Sequence, residues 1–349
     1  MINRWIEIEQ PLLELEELID RLEQLHRDRG IDKREEIVAL KDQHERLLAD
    51  IFANLTPWEK TLLARHDTRP YTLDYVERLF TDFTELHGDR RYGDDPALIG
   101  GPAFFDGQPV MVIGHQKGRD VKARQFRNFG SAKPEGYRKA QRLMRLAEKL
   151  GRPVFSFVDT PAAEARLEAE ERGICNAIAE SLAQMALLRV PIIVTILGEG
   201  GSGGAIGIGI GDRVLMMEHA IYSVIPPEGC AAILDTFGRD ARRGPEAAAA
   251  LRLSAQDLQA LGGIIDQVVP EPLGGAHRDY GAAAAALHDA LVSTWGELKD
   301  LPADQLVEQR YQRLRNLGMR LGPLPEPAPN GVATEPLHTA TPEQPTGAA

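Results

Sequence analysis

Over roughly the first 66 residues, apolar positions recur at steps of three and four. Leu15, Leu18, Leu22 and Leu25 make one run, and Ile37, Leu40, Leu47 and Ile51, with His44 in the gap, make a second. That spacing lays an apolar stripe along each of two helices. Gly30 separates them, and Asp32 with Glu35 predicts a capping box at the start of the second. Thr56-Pro57-Trp58-Glu59 predicts a third start, with Thr56 as N-cap and Pro57 at the first helical position. Residues 1–68 therefore read as a helical extension, a hairpin plus a short helix. Its stripe either packs on its own domain or receives a partner, and Glu14, Glu17 and Arg21 fall on the solvated face.

From Tyr71 the pattern changes to short apolar runs alternating with longer amphipathic stretches. Thr72 predicts the cap of a helix running to about Leu86. Residues 109–114 read as a buried strand, 134–150 as a helix, 153–158 as a second strand and 168–189 as a long helix. The run Pro191-Ile192-Ile193-Val194-Thr195-Ile196-Leu197 is a third strand, and two short ones centre on Val214 and Tyr222. Asp266 to Val269 predicts a last strand, with helices following at about 277–295 and 303–317. Strands separated by helices of this length mean an α/β fold with parallel pairing. The tail, residues 321–349, carries seven prolines and little aromatic or β-branched character, which predicts disorder.

A chain of 349 residues buries a large core, in one domain or two. Its net charge of −12 makes neither nucleic acid nor an anionic membrane a default partner. Cys175 and Cys230 are its only cysteines, which fits a reducing compartment and excludes a disulfide framework or a Cys-rich zinc site, so no metal is expected in this chain. No apolar run approaches the ~20 residues of a membrane span, and Met1-Ile2-Asn3-Arg4-Trp5-Ile6-Glu7 lacks a signal-peptide core. The expected location is the cytoplasm.

The stretch richest in chemistry is Gly198-Glu199-Gly200-Gly201-Ser202-Gly203-Gly204-Ala205, which ends the third strand. Glycines there let the backbone turn tightly and approach a ligand. If a helix starts near Ser202, its free N–H groups face whatever sits over the turn, either a phosphate or an oxyanion that develops during a reaction. Gly198-x-Gly200-x-x-Gly203, with Glu218 about 20 residues onward, also fits the dinucleotide fingerprint. Against that, the span from Gly203 to Arg213 is short for a crossover helix. An NAD(P)-dependent oxidoreductase stays as the minor alternative.

Two further constellations lie after the first two strands. His115-Gln116-Lys117-Gly118-Arg119, followed by Lys122, Arg124 and Arg127, either holds phosphate or carboxylate groups or forms a solvated basic loop. Asp159-Thr160-Pro161 is a turn at the carboxyl edge of the sheet, where open α/β folds place ligands. Glu168, Glu170 and Glu171 suit a helix start without any catalytic role. No Gly-x-Ser-x-Gly elbow occurs, and the glycine stretch lacks the lysine of a P-loop. An enzyme built this way works through backbone donors more than through a side-chain triad.

Taken in order, several stretches resemble the alpha subunit of the carboxyltransferase component of bacterial acetyl-coenzyme A carboxylase. They are Arg69-Pro70-Tyr71-Thr72-Leu73-Asp74-Tyr75-Val76, Gly114 to Arg119, Arg127-Asn128-Phe129-Gly130, Pro134-Glu135-Gly136-Tyr137-Arg138-Lys139-Ala140, Gly198 to Ala205, Pro227-Glu228-Gly229-Cys230 and Pro270 to Arg278. The resemblance covers about residues 1–317. It implies a crotonase-like superhelix of ββα units at 69–296, preceded by the helical extension and followed by a C-terminal helix at 297–320.

The family transfers the carboxyl group of carboxybiotin, carried on a separate biotin carboxyl carrier protein that biotin carboxylase loads, to acetyl-CoA, giving malonyl-CoA for fatty acid synthesis. It assembles as two alpha and two beta subunits. The resemblance implies that backbone N–H groups of Gly203 and Gly204, with Gly200 and Gly201, serve the biotin side. It makes His115, Gln116, Lys117, Arg119, Thr160, Pro161, Pro227, Glu228 and Gly229 substrate-binding positions. The beta subunit then supplies the thioester-enolate hole, most of the coenzyme A site and the family's zinc ribbon.

The family usually reads Asp-Thr-Pro-Gly-Ala-Tyr-Pro-Gly after the second strand. Here the positions read Asp159-Thr160-Pro161-Ala162-Ala163-Glu164-Ala165-Arg166, with Glu168 where another glycine is usual. Alanine and arginine do not take positive φ cheaply, so this loop follows another path or offers fewer backbone donors. A weakened or non-catalytic relative that still assembles with the beta subunit is the corresponding alternative.

Overall fold

The computed structural model describes residues 4–29 and 31–317; the tail expected to be disordered lies outside the described residues. Helices α1 (Arg4–Arg29) and α2 (Arg34–Ala53) form the hairpin. Ile19, Leu22 and Ile37 close its seam, with Leu25 and Leu40 packed on them, and Leu18 is left exposed. No capping box starts α2. Lys33 occupies the N-cap without a side-chain bond, and Asp32, one residue too early, turns to the Arg34 N–H and guanidinium. Helix α3 (Pro57–Ala64) does begin with a complete box: Thr56 and Glu59 each accept the other's backbone N–H.

Helix α4 (Thr72–Leu79) stops well short of Leu86, and Tyr71 rather than Thr72 is its N-cap. The Thr72 hydroxyl instead donates to the His115 carbonyl. At Phe80 the backbone becomes extended, because that ring packs among Phe105, Phe155 and Phe157 at 5.4–6.0 Å. The segment after it lies along strand β1 (Leu98–Phe105), bonded through the N–H groups of Thr81, Thr84 and Leu86.

Strand β1 pairs antiparallel with β2 (Gln108–His115) across Asp106-Gly107, both left-handed, the geometry of a two-residue hairpin. Helices α5 (Val121–Phe126) and α6 (Pro134–Lys149) lead to β3 (Val154–Thr160). The long helix expected at 168–189 is two: α7 (Leu167–Glu171) and α8 (Ile174–Leu187), split where Gly173 takes φ 80°. Strand β4 (Ile192–Gly201) follows, then α9 (Ser202–Ile206), β5 (Arg213–Met217), β6 (Ile221–Ser223), α10 (Pro227–Ile233), α11 (Gly244–Leu251), α12 (Ala255–Leu261), β7 (Gln267–Val269), α13 (Tyr280–Leu298) and α14 (Ala303–Asn316).

The sheet runs β1-β2-β3-β4-β5-β7, parallel from β2 onward. Strand β4 changes neighbours along its length: Ile193–Ile196 pair with β5, and Glu199–Gly201 pair with β6. Both faces are covered by helices, so β3 and β4 are almost wholly buried, as their unbroken apolar runs require. Arg69 locks the end of β4 by donating to the Leu197 carbonyl at 2.7 and 2.9 Å while its other side pairs with buried Glu271.

Candidate functional site

The carboxyl ends of β3 and β4 lie side by side, with Thr160 paired to Gly200. Strand β4 continues through Gly201, and the turn into α9 is made by Ser202, which holds φ 53°. The glycines therefore serve close packing more than turning. A Cβ on Gly201 would stand 1.9 Å from the Pro161 carbonyl oxygen, and one on Gly204 would stand 2.5 Å from the Ala163 nitrogen. One on Gly200 would meet the Tyr222 ring at 2.7 Å. Gly203 differs: its nearest neighbour would be Ile178 Cδ1, at an ordinary 3.6 Å.

Two loops thus meet backbone to backbone, Thr160–Ala163 against Gly201–Gly204. No side chain caps α9, so the first-turn N–H groups, those of Gly203 and Gly204 included, have no acceptor within their own helix. Gly203 is half-buried and Gly204 buried. From the far side, the Tyr137 hydroxyl donates to the Gly204 carbonyl at 3.1 Å. The arrangement offers fixed backbone donors to an anion and holds them still.

Beneath the turn runs a line of charges. Lys117 Nζ lies 2.8 Å from both Asp159 Oδ1 and Glu199 Oε2, and Asp159 Oδ1 also accepts the Glu199 N–H. Arg65, the C-cap of α3, donates to Glu199 at 2.7 Å and to Glu228 at 2.6 Å. Burial alone would lower the Lys117 pKa, but Asp159 and Glu199 outweigh it and raise it. Glu199 is held below the usual carboxylate range by Lys117 and Arg65 against its own burial. Lys117 is thus a part-buried structural cation, and Glu228 is tied to it through Arg65 and Glu199.

The remaining expected positions fall in several places. His115 is wholly buried beside Tyr137, and burial pushes its pKa down to about 3, so it is neutral in the working range. Gln116 accepts the Leu73 N–H and donates to the Lys117 carbonyl. Arg119 clasps the chain before α4, pairing with Asp74 and lying 4.6 Å over the Tyr71 ring. Arg124 pairs with Asp67. The basic run therefore spends much of its charge inside the chain. Thr160 is buried and donates to the Ala162 carbonyl, and Pro161 touches Gly201. Pro227, Glu228 and Gly229 open α10.

Arg65, Tyr137, Asp159 and Glu199 were not singled out from the sequence as site residues. Asp159 and Glu199 had a legible signal, since each is a charge at the end of an apolar strand. Tyr137 lies in one of the stretches that carry the resemblance but has no role assigned there, and Arg65 had no signal, because it reaches the turn only through the fold.

Glu9, His66 and His277 converge elsewhere, between α1 and the body of the chain. The rings of His66 and His277 stack at 4.1 Å, and Arg278 donates to Glu9 at 2.8 and 3.0 Å. His66 Nδ1 accepts the Thr68 N–H at 3.1 Å, so the neutral ring carries its proton on Nε2, the atom facing Glu9. A metal would need that lone pair. The group is a hydrogen-bonded clamp fastening the helical hairpin.

The dinucleotide reading fails on geometry. Helix α9 is five residues long, and the Glu218 carboxylate already accepts the Glu271 N–H at 3.0 Å.

Comparison with known proteins gives the family and the fold. Residues 5–318 match the family model described as acetyl co-enzyme A carboxylase carboxyltransferase-like. The acetyl-coenzyme A carboxylase carboxyl transferase subunit alpha of Syntrophotalea carbinolica is 55% identical over 90% of this chain and 98% of its own. That of Halorhodospira halophila is 52% identical over 92% of this chain and 100% of its own. Among solved structures, the beta subunit of P. aeruginosa geranyl-CoA carboxylase aligns over 80% of this chain and 48% of that one, with TM-score 0.51 and 15% identity. A Pseudomonas malonate decarboxylase hetero-tetramer in complex with coenzyme A aligns over 65% of this chain and 92% of that one, with TM-score 0.51 and 19% identity. At those identities the likeness is one of fold.

Proposed function

The chain belongs to the acetyl-coenzyme A carboxylase carboxyltransferase family, and from that premise we propose that its glycine turn holds the negative charge developed during carboxyl transfer. The fold is crotonase-like, and the function is that of the alpha subunit in the carboxyltransferase reaction of acetyl-coenzyme A carboxylase.

Bound carboxybiotin supplies the carboxyl group, presented on a carrier protein that a biotin carboxylase loads. The acceptor is acetyl-CoA and the product malonyl-CoA. The fit of the site to that group rests on its uncapped edge, where a Cβ on Gly203 would meet nothing closer than 3.6 Å and the Thr160–Ala163 backbone braces Gly201 and Gly204. The N–H groups of Gly203 and Gly204 donate to the oxygen that gathers charge as the carboxyl group departs, and Thr160–Ala163 excludes water from one side. Losing one donor of this kind typically costs ~10²–10³ in rate. Lys117, Asp159 and Glu199 act from beneath by fixing the strand ends. Pro227, Glu228 and Gly229 border the same edge of the sheet through β6 and α10.

A beta subunit completes the site, in an assembly of two alpha and two beta chains, and contributes most of the coenzyme A pocket. Among the described residues no helix is long and apolar enough to cross a membrane, and the proposed location is the cytoplasm. The carrying observation is the pair of first-turn N–H groups without an acceptor in their own helix.

The test is Gly203→Pro, which removes one donor where a side chain has room, against Gly203→Ala, which keeps it. The proline variant should co-purify with the beta subunit yet lose transfer by ~10²-fold or more, whereas the alanine variant retains it. Equal rates in the two variants would overturn the reading.

A further inference from the structure

Residues 162–168, the loop that packs on the glycine turn, are wired to a strained turn on the rim of the site. Asn128, Phe129 and Gly130 hold φ values of 45°, 54° and 81° in succession. For the two non-glycine residues such angles are unfavourable and persist only where the surroundings impose them. Two side chains of the 162–168 loop are part of those surroundings. Asn128 Nδ2 donates to Glu164 Oε2 and to the Ser131 carbonyl, both at 2.7 Å. Arg166 donates to Asn128 Oδ1 at 3.0 Å and to Glu164 at 2.6 and 2.9 Å. Both amide hydrogens and the oxygen of Asn128 are engaged.

The same loop touches the glycine turn. Ala162 and Ala163, immediately before Glu164, are the backbone against which Gly204 packs. Gly130, at the other end of the strained turn, lies against Lys117 and the Asp159 carbonyl. The Glu164 N–H donates to the Ala132 carbonyl at 2.9 Å, which adds a backbone tie to the side-chain bridge. No residue from Pro161 to Glu168 takes positive φ, so the loop gains its shape from side-chain charge and not from left-handed backbone.

We propose that Glu164 and Arg166 are positioning residues for carboxyl transfer, their bridge to Asn128 pressing the Ala162–Ala163 backbone onto Gly204 and fixing the rim that biotin meets. This rests on the glycine-turn reading above. The Glu164 side chain is only 10% exposed, whereas that of Arg166 is 65% exposed, so the bridge closes from the solvent side. Arg166 keeps Glu164 charged, holding its pKa down at about 2 with help from Asn128.

The experiment uses the complex with the beta subunit and free biotin as the probe. In Glu164→Gln and in Arg166→Ala, hydrogen exchange across residues 126–132 should accelerate and the Kd for free biotin should rise, each about tenfold, the scale of one lost charge-assisted hydrogen bond. The KM for the coenzyme A thioester should stay within about twofold, and Asn128→Ala should add little to Arg166→Ala because both break one bridge. Unchanged exchange and biotin affinity in Arg166→Ala would overturn the proposal. So would biotin and thioester constants rising together, as general loosening of the fold produces. A wild-type rate in Gly203→Pro is instead the failure of the glycine-turn reading, because the exchange signature of the bridge is read without transfer.

Discussion

Arg65 donates through Nε to Glu199 at 2.7 Å although 134 residues separate them in the chain. One is the C-cap of the last helix of the N-terminal extension, the other belongs to the end of the strand that carries the glycine turn. The extension is therefore part of the floor of the site. Its charge is needed there because Glu199 is buried and Lys117 is shared with Asp159.

Replacing Arg65 by methionine should cost about 2–3 kcal/mol, between the values for exposed and buried pairs. Urea unfolding measures the loss. Transfer should fall with it, because Glu199 and Glu228 would both lose the cation that joins them, whereas Glu228→Gln should cost about 1 kcal/mol or less, as for a pair with an exposed partner.

Gly203 and Gly204 should respond oppositely to the same small change. Gly203→Ala meets nothing closer than 3.6 Å and should leave folding and transfer close to wild type. Gly204→Ala drives a methyl group to 2.5 Å from the Ala163 nitrogen and 2.6 Å from the Ala162 carbonyl carbon, and backbone is poorly able to yield. Overpacking of this kind costs about 1–3 kcal/mol, and transfer should fall further because the donors move with the loop. Thermal unfolding and a transfer assay on the two variants separate them.

Much of this was legible in the sequence wherever a local rule decides the structure. Thr56-Pro57-Trp58-Glu59 carries its whole capping box within four residues, and the helix begins there. The apolar runs of β2, β3 and β4 are continuous because both faces of the sheet are covered, and each strand was found with its end slightly misplaced. Asp106-Gly107 is a hairpin signal that the strand pattern should have taken in, and β1 was missed without it.

Other features were beyond local rules. Thr72 looks like a cap, yet the fold places the His115 carbonyl within its reach, and the tertiary bond wins. Leu18 fits the helical period but lies on the outer side, because the partner helix sits nearer the seam of Ile19 and Leu22. The basic run after β2 read equally well as an anion site and as a loop. Its partners Asp67, Asp74, Asp159 and Glu199 are remote in sequence, and only the folded chain shows how much of its charge is already matched.

Glu271 gives the chain a defined acid sensitivity. Burial would raise its carboxyl pKa, but Arg69, with help from His219, lowers it from 4.5 to about 2. The unfolded chain takes up this proton near 4.5 and the folded chain only near 2, so in that window the unfolded state binds more protons. The stability the pair contributes is complete above that window and is lost as pH falls through it. Glu271→Gln should flatten this part of the stability curve, and at pH 7 it should cost about 3–5 kcal/mol because buried Arg69 loses its counter-charge. Denaturant midpoints between pH 2.5 and 7 measure both effects; an unchanged slope would mean the pair does not control acid unfolding.

The C-terminal helix α14 is fastened by buried Leu306, by Arg313 on Asp266 and the Ile264 carbonyl, and by Arg310. Arg310 is fully buried, pairs with Asp212 at 2.8 and 3.0 Å, and donates to the carbonyls of Met185, Leu188 and Val190. Those three carbonyls end α8 or lie just beyond it, where helix C=O groups lack partners, so one guanidinium satisfies several acceptors at once. Asp212 in turn accepts the Ile192 N–H at the start of β4, so the strand that delivers the glycine turn is anchored at its other end by this pair. Arg310→Ala should cost about 3–5 kcal/mol, since it strands a buried carboxylate as well as the carbonyls. Adding Asp212→Ala should recover part of that loss, because the stranded charge goes with its partner. Recovery is incomplete, since the carbonyls and the Ile192 N–H still lack their bonds. If the double variant were less stable than the sum of the two single losses, the ion pair would not be what holds α14 to the sheet.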